Sequence, residues 1–102
     1  MKKFRSLQLE SLLREELNTL FRKEFDFDGA FVTITNVIVN DECTHAQIFL
    51  SVFPIEREPG IYLMIQKKRN DLHFLLVKRL KMRVVPSLEF SVTKRSSTNV
   101  AE

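Results

Sequence analysis

A thiol and an imidazole lie two residues apart near the middle of the chain, at Cys43 and His45. This spacing is compatible with part of a metal site or with an activated thiol nucleophile. The sequence contains only one Cys and two His, so these residue types cannot complete the ligand set of a structural metal. A surface turn is therefore the favoured interpretation, and a small hydrolase that uses Cys43 and His45 is the weaker alternative.

Paired carboxylates occur at Asp26 and Asp28 and at Glu15 and Glu16. General acid–base catalysis requires carboxyl groups held in different environments, whereas turn and helix-surface positions account for both pairs. The chain has two Gly, too few for a glycine-rich loop that cradles a phosphate. The sequence predicts a protein that is not an enzyme and that binds no metal and no cofactor.

Basic residues are concentrated in the second half of the chain. Residues 1–60 contain seven Lys and Arg against ten Asp and Glu, a balance of −3, whereas residues 61–102 contain nine against three, a balance of +6. Clustered cations on one face are typical of proteins that bind a phosphate backbone, and a solvated helix face is the alternative. The clusters are Lys67, Lys68 and Arg69; Lys78, Arg79, Lys81 and Arg83; and Lys94 and Arg95.

Hydrophobic periodicity predicts the elements that position these clusters. Apolar residues at helical spacing predict three helices, and period-two patterns predict three strands. The helices are predicted over residues 6–24, 61–69 and 72–82, and the strands over 31–39, 45–53 and 88–93. A bulge is expected near Asn36, where the alternation slips. Asn70 and Asp71 are expected to kink the chain between the last two helices, because Asn tolerates left-handed backbone and Asp caps helices. The intervening residues 54–60 are predicted to be a connection, since they contain two Pro and a Gly.

The order helix, strand, strand, helix, kink, helix, strand predicts a two-layer α+β domain with three helices on one face of a three-stranded sheet. In this register Phe49 and Phe53 face away from the core, where aromatic rings stack on bases or contact a protein. His73, one turn into the third helix, is either an RNA contact or a partly exposed helix residue.

We expect one domain over residues 1–95 and a disordered tail over 96–102. No apolar run approaches the about 20 residues that cross a bilayer, so we expect a soluble cytoplasmic protein.

Two motifs between residues 29 and 90 match a known family. The first is the hairpin Val32-x-Ile34-Thr35-x-Val37 with Ala46-x-Ile48-x-Leu50-Ser51-Val52, and the second is Leu75-x-x-x-x-Leu80-x-Met82-Arg83-x-x-Pro86-x-Leu88-x-Phe90. On these residues the chain resembles the ribosome-binding factor A family, whose fold is a type II KH-like domain with this element order. The sequence departs from the family at Asn70, which aligns with the glycine of its helix kink, and at Thr93, Lys94 and Arg95, which replace an Asp-x-Ser element.

The resemblance implies a monomer that binds the small (30S) ribosomal subunit and its 16S rRNA, assists late maturation of the rRNA 5′ end and supports growth in the cold. It implies no membrane and no small-molecule substrate. With the basic clusters, it implies an RNA-binding set of Lys67, Lys68, Arg69, Asn70, Lys78, Arg79, Lys81, Arg83, Lys94 and Arg95. The alternative is a KH-like protein-interaction module with no nucleic-acid role, which would use the acidic first helix and the exposed Phe residues.

Overall fold

Three helices cover one face of a three-stranded sheet in the computed structural model, which describes residues 4–82 and 85–92. The helices are α1 (Phe4–Glu24), α2 (Glu58–Lys67) and α3 (Arg69–Leu80), and the strands are β1 (Phe31–Val39), β2 (His45–Phe53) and β3 (Ser87–Val92). A short 3-10 turn (Ile55–Arg57) precedes α2. The predicted α+β architecture is confirmed, and the predicted tail over 96–102 lies outside the described residues.

The sheet is mixed, with β2 in its centre. β1 pairs with β2 as an antiparallel hairpin, and β3 pairs with β2 in parallel. The register shifts between Ile34 and Asn36, so the predicted bulge is present and restores the facing of Val37 and Val39. The parallel pairing of β3 requires a long crossover, which α2 and α3 supply.

The core lies between the sheet and the helices. Alternate residues of β2 are buried, as the period-two pattern predicts, while Phe53 is 65% exposed and Phe49 is half-buried on the opposite face. The apolar stripe of α1 packs against the same core. The fully buried centre comprises Leu13, Leu17, Val39, Ile48, Leu50, Ile65, Leu72 and Leu76.

The outer edge of β1 is held by polar side chains of α1. The Ile34 N–H donates to Oδ1 of Asn18 at 3.0 Å, and the Val39 N–H donates to Oε2 of Glu10 at 2.9 Å. These contacts satisfy backbone donors at an edge that none of the strands within 4–82 and 85–92 covers. They also fix α1 along β1.

The start of α2 differs from the prediction. Pro59 and Gly60 were expected in a connection, but they form the first turn of α2, with Pro59 at one of its first two positions. Proline is well accommodated there because the first helical N–H groups have no intrahelical acceptor.

The helix break also lies earlier than predicted. Asn70 was expected to set the kink, but it is helical, and the break is the single residue Lys68, at φ −95° and ψ 9°. The Lys68 N–H donates to the carbonyls of Met64 and Ile65 at 3.1 Å each, and its own carbonyl accepts the Leu72 N–H at 2.9 Å. This bridge-region conformation is open to most residues, so the break requires no left-handed residue.

Candidate nucleic-acid interface

Three consecutive cations occupy the junction between α2 and α3. Lys67 is the last residue of α2, Lys68 is the break and Arg69 is the first residue of α3. All three are exposed, and so is Asn70 in the first turn of α3. Their exposure follows from the fold, because the inward positions of both helices are taken by aliphatic residues.

The junction cations border different grooves. Lys68 lines a groove of about 430 Å³ between α2, α3 and the end of α1, together with the carboxylates Glu24, Asp26 and Asp71. Arg69 lines a groove of about 680 Å³ at the start of β3. The groove at Arg69 also contains carboxylates, those of Asp41 and Glu89, so acidic side chains border the junction cations in both grooves.

The last turn of α3 carries Lys78 and Arg79, and they have different partners. Lys78 Nζ lies 5.2 Å from the ring centroid of Phe74, a cation–π contact. Arg79 Nε donates to Oε1 of Glu16 on α1 at 2.5 Å. Of this pair, Lys78 is therefore the residue that is open to a phosphate, and Arg79 is held toward α1.

Lys81 ends α3 as its C-cap in the left-handed conformation, at φ 54° and ψ 34°. The predicted helix over 72–82 therefore ends at Leu80. The Lys81 N–H donates to the Val77 carbonyl at 3.1 Å, which satisfies one of the last helical acceptors. The side chain of Lys81 is exposed.

The basic groups follow one helix rather than meeting at one point. A single RNA-binding set predicts that the basic clusters lie together, but α3 separates the first two, and a helical rise of 1.5 Å per residue places Arg69 and Lys78 about 14 Å apart along its axis. Asn70, Phe74, Lys78 and Lys81 recur at spacings of three and four, and all are exposed. We call this set the α3 surface; it comprises Lys67, Lys68, Arg69, Asn70, Phe74, Lys78 and Lys81.

The remaining basic residues of the predicted set are Arg83, Lys94 and Arg95, and they lie outside the described residues.

The turn between β1 and β2 contains the thiol and imidazole of the hydrolase alternative. Cys43 is half-buried in left-handed backbone at φ 60°, and Nδ1 of His45 lies 3.0 Å from the hydroxyl of Thr44. No group of three or more His, Cys, Asp or Glu able to hold a metal occurs within 4–82 and 85–92.

His73 is half-buried, and its Nε2 donates to the Val85 carbonyl at 3.1 Å. In this arrangement His73 joins α3 to the segment that leads into β3.

Sequence reasoning missed the exposed ring of Phe74 and the pairing of Glu16 with Arg79. Phe74 lies off the inward stripe that includes Leu72 and Leu76, so the helical spacing itself marks it as an outward aromatic ring. It is 61% exposed. The pairing of Glu16 with Arg79 spans 63 positions in the chain and has no local signal.

The family model for ribosome-binding factor A matches residues 5–100 of the chain. The chain belongs to the ribosome-binding factor A family. Ribosome-binding factor A of Prosthecochloris aestuarii is 32% identical over 89 residues, which cover 84% of this chain and 73% of that protein. The Cupriavidus metallidurans protein is 31% identical over 87 residues, covering 84% and 70% of the two chains.

Solved ribosome-binding factor A structures share the fold. The homology model of the Thermus thermophilus factor, fitted into a cryo-EM map of a 30S–RbfA complex, superposes with a TM-score of 0.76. Its sequence identity is 22%, and the match covers 86% of this chain and 94% of that one. The crystal structure of the factor from the same organism has a TM-score of 0.72 at 22% identity, covering 85% and 94%. The KH-like type II fold expected of the family is consistent with these matches.

Across the described ranges, no helix of this ribosome-binding factor A family member has both the length and the apolar character needed to cross a bilayer.

Proposed function

We propose that the chain binds the small ribosomal subunit through the α3 surface, as a cytoplasmic monomer whose residues 1–95 form one ribosome-binding domain. In this proposal its cations bind phosphates of 16S rRNA, and the bound factor assists late maturation of the rRNA 5′ end without catalysis. Loss of the protein then impairs growth in the cold. Membership in a family of ribosome-binding factors supports the ribosome as the binding partner.

The observation that carries the proposal is the distribution of cations along α3. Lys67, Lys68, Arg69 and Lys81 are exposed, and none forms an ion pair with another described residue. Unpaired exposed cations at both ends of one helix suit a polyanion that runs along it, because each phosphate contact releases counterions.

Charge reversal at the junction tests this proposal. The double variant Lys68→Glu and Arg69→Glu is expected to abolish co-sedimentation with small subunits while the fold is retained, because both side chains are exposed. The matched control is Arg14→Glu with Arg22→Glu, the same change of charge at two exposed α1 positions that line grooves along β1. Wild-type co-sedimentation of the junction variant would refute the assignment.

A protein-interaction module remains the second candidate, favoured by the open face of the sheet. Phe31 and Phe53 are cross-strand partners there, 69% and 65% exposed, and Ile55 follows at 51%. A salt titration separates the candidates, because phosphate contacts make affinity fall steeply with salt and apolar contacts do not. Subunit binding that is flat between low and high salt would favour the protein partner.

A further inference from the structure

An exposed aromatic ring lies between the two basic groups of the α3 surface. Phe74 is 61% exposed, although α3 has a complete inward stripe of its own and requires no further apolar residue for the core. It lies about 8 Å along the helix axis from Arg69 and about 11 Å from Lys81, on a rise of 1.5 Å per residue. At 3.6 residues per turn, Asn70 and Lys81 share the ring's side of α3, whereas Arg69 lies about 140° around the helix from Phe74.

Lys78 holds this ring from one side. Its ammonium lies 5.2 Å from the ring centroid, which is within cation–π range. A cation over one face leaves the other face of the ring available to a planar partner. Lys78 is itself exposed, so the same ammonium is open to a phosphate beside that partner.

This combination favours a nucleic acid over a protein as the occupant. The cores of protein interfaces are depleted of Lys, whereas surfaces that bind single strands combine cations with aromatic rings on which bases stack. A base within a duplex has both faces covered by its neighbours, so only an unpaired base offers a face to Phe74.

We infer that Phe74 is a stacking platform for an unpaired base, and that the α3 surface binds a single-stranded segment of RNA rather than a duplex. The inference rests on the proposed function and specifies its ligand. Lys78 and Lys81, which share the outward side of α3 with the ring, bind the phosphates next to the stacked base. Phe74 contributes affinity that depends on unpaired bases, while the cations contribute affinity that depends on salt.

The test compares a short single-stranded RNA of mixed sequence with the corresponding duplex, by fluorescence anisotropy at several salt concentrations. Phe74→Leu retains an apolar side chain but removes the aromatic face, and is expected to weaken single-strand binding about 5- to 100-fold. Phe74→Tyr is expected to retain wild-type affinity. The slope of log affinity against log salt should be unchanged in both variants, because neither removes a charge.

Phe53→Leu is the matched control, since Phe53 is similarly exposed at 65% but lies on the open sheet face. Its single-strand affinity should equal that of the wild type. Equal affinity of Phe74→Leu and wild type for single-stranded RNA would overturn the inference, and so would wild-type preference for the duplex. Weaker subunit binding by Phe74→Leu with unchanged RNA affinity would assign the ring to a protein contact and also overturn it. Each of these results leaves the proposed function intact, which fails separately if the unsubstituted protein does not co-sediment with small subunits.

Discussion

Arg79 of α3 and Glu16 of α1 form an ion pair, in which the guanidinium Nε lies 2.5 Å from the carboxylate Oε1. The pair is partly exposed, at 37% for Arg79 and 25% for Glu16. It ties Arg79 to α1, so a carboxylate from a different helix withholds this cation from the α3 surface.

Removing the carboxylate is expected to release Arg79. Glu16→Gln should strengthen subunit binding severalfold, because it frees a cation and removes a negative charge near the RNA surface. Glu15→Gln is the matched control, with the same change of charge at the neighbouring exposed position. Co-sedimentation at several protein concentrations measures the effect. Equal affinity of the two variants would show that Arg79 is not released.

Salt dependence should distinguish the cations that contact phosphate from the one that is paired. Lys81→Gln is expected to reduce the slope of log affinity against log salt by about 0.7, the value for one phosphate contact with a single strand. Arg79→Gln should change the slope less, since Glu16 already neutralises Arg79. The slopes are read from anisotropy titrations with single-stranded RNA. A larger change for Arg79→Gln would contradict the structural assignment.

The left-handed backbone at Lys81 makes a prediction about stability. A side chain at φ 54° is strained, whereas glycine adopts this conformation freely at the end of a helix. Lys81→Gly should therefore be more stable than Lys81→Ala by about 1 kcal/mol, from the usual cost of a left-handed residue less the entropy of glycine in the unfolded chain. Urea unfolding measures the difference. Both variants lose the same charge, so their RNA affinities should be similarly reduced.

The acceptor at Asn18 is expected to stabilise the edge of the sheet. Asn18→Ala leaves the part-buried Ile34 N–H without its acceptor and should lower the free energy of unfolding by about 1 kcal/mol. Asn18→Asp retains an oxygen at the same place and should lose less. Urea unfolding with one slope for all variants checks this, and equal losses for the two substitutions would contradict it.

The fold was largely predictable because burial repeats along the chain. The alternation of β2 and the stripe of α1 identified the core faces and the exposed side of Phe53. The errors in the predicted helix boundaries lie where residue type and backbone conformation do not determine each other. Pro59 suits a first helical turn as well as a loop, and the break at Lys68 uses a conformation open to most residues.

The candidate site was predictable only in part. The clusters around Lys68 and Lys78 follow from the sequence, and their exposure follows from the helical stripe. The pairing of Arg79 with Glu16 and the tilt of Lys78 over Phe74 depend on how helices and rotamers pack, which periodicity does not encode. The sequence therefore identified the charges, and tertiary packing determined which of them a ligand meets.

The one-residue link at Lys68 has a consequence for the thermodynamics of binding. Its N–H closes the last turn of α2 and its carbonyl opens the first turn of α3, so both flanking cations are attached to backbone that is already ordered. A surface of this kind loses little conformational entropy when a ligand arrives, since only side-chain rotamers remain to be fixed. Its affinity is then determined mainly by charge and by displaced counterions, and only weakly by the cost of ordering a loop.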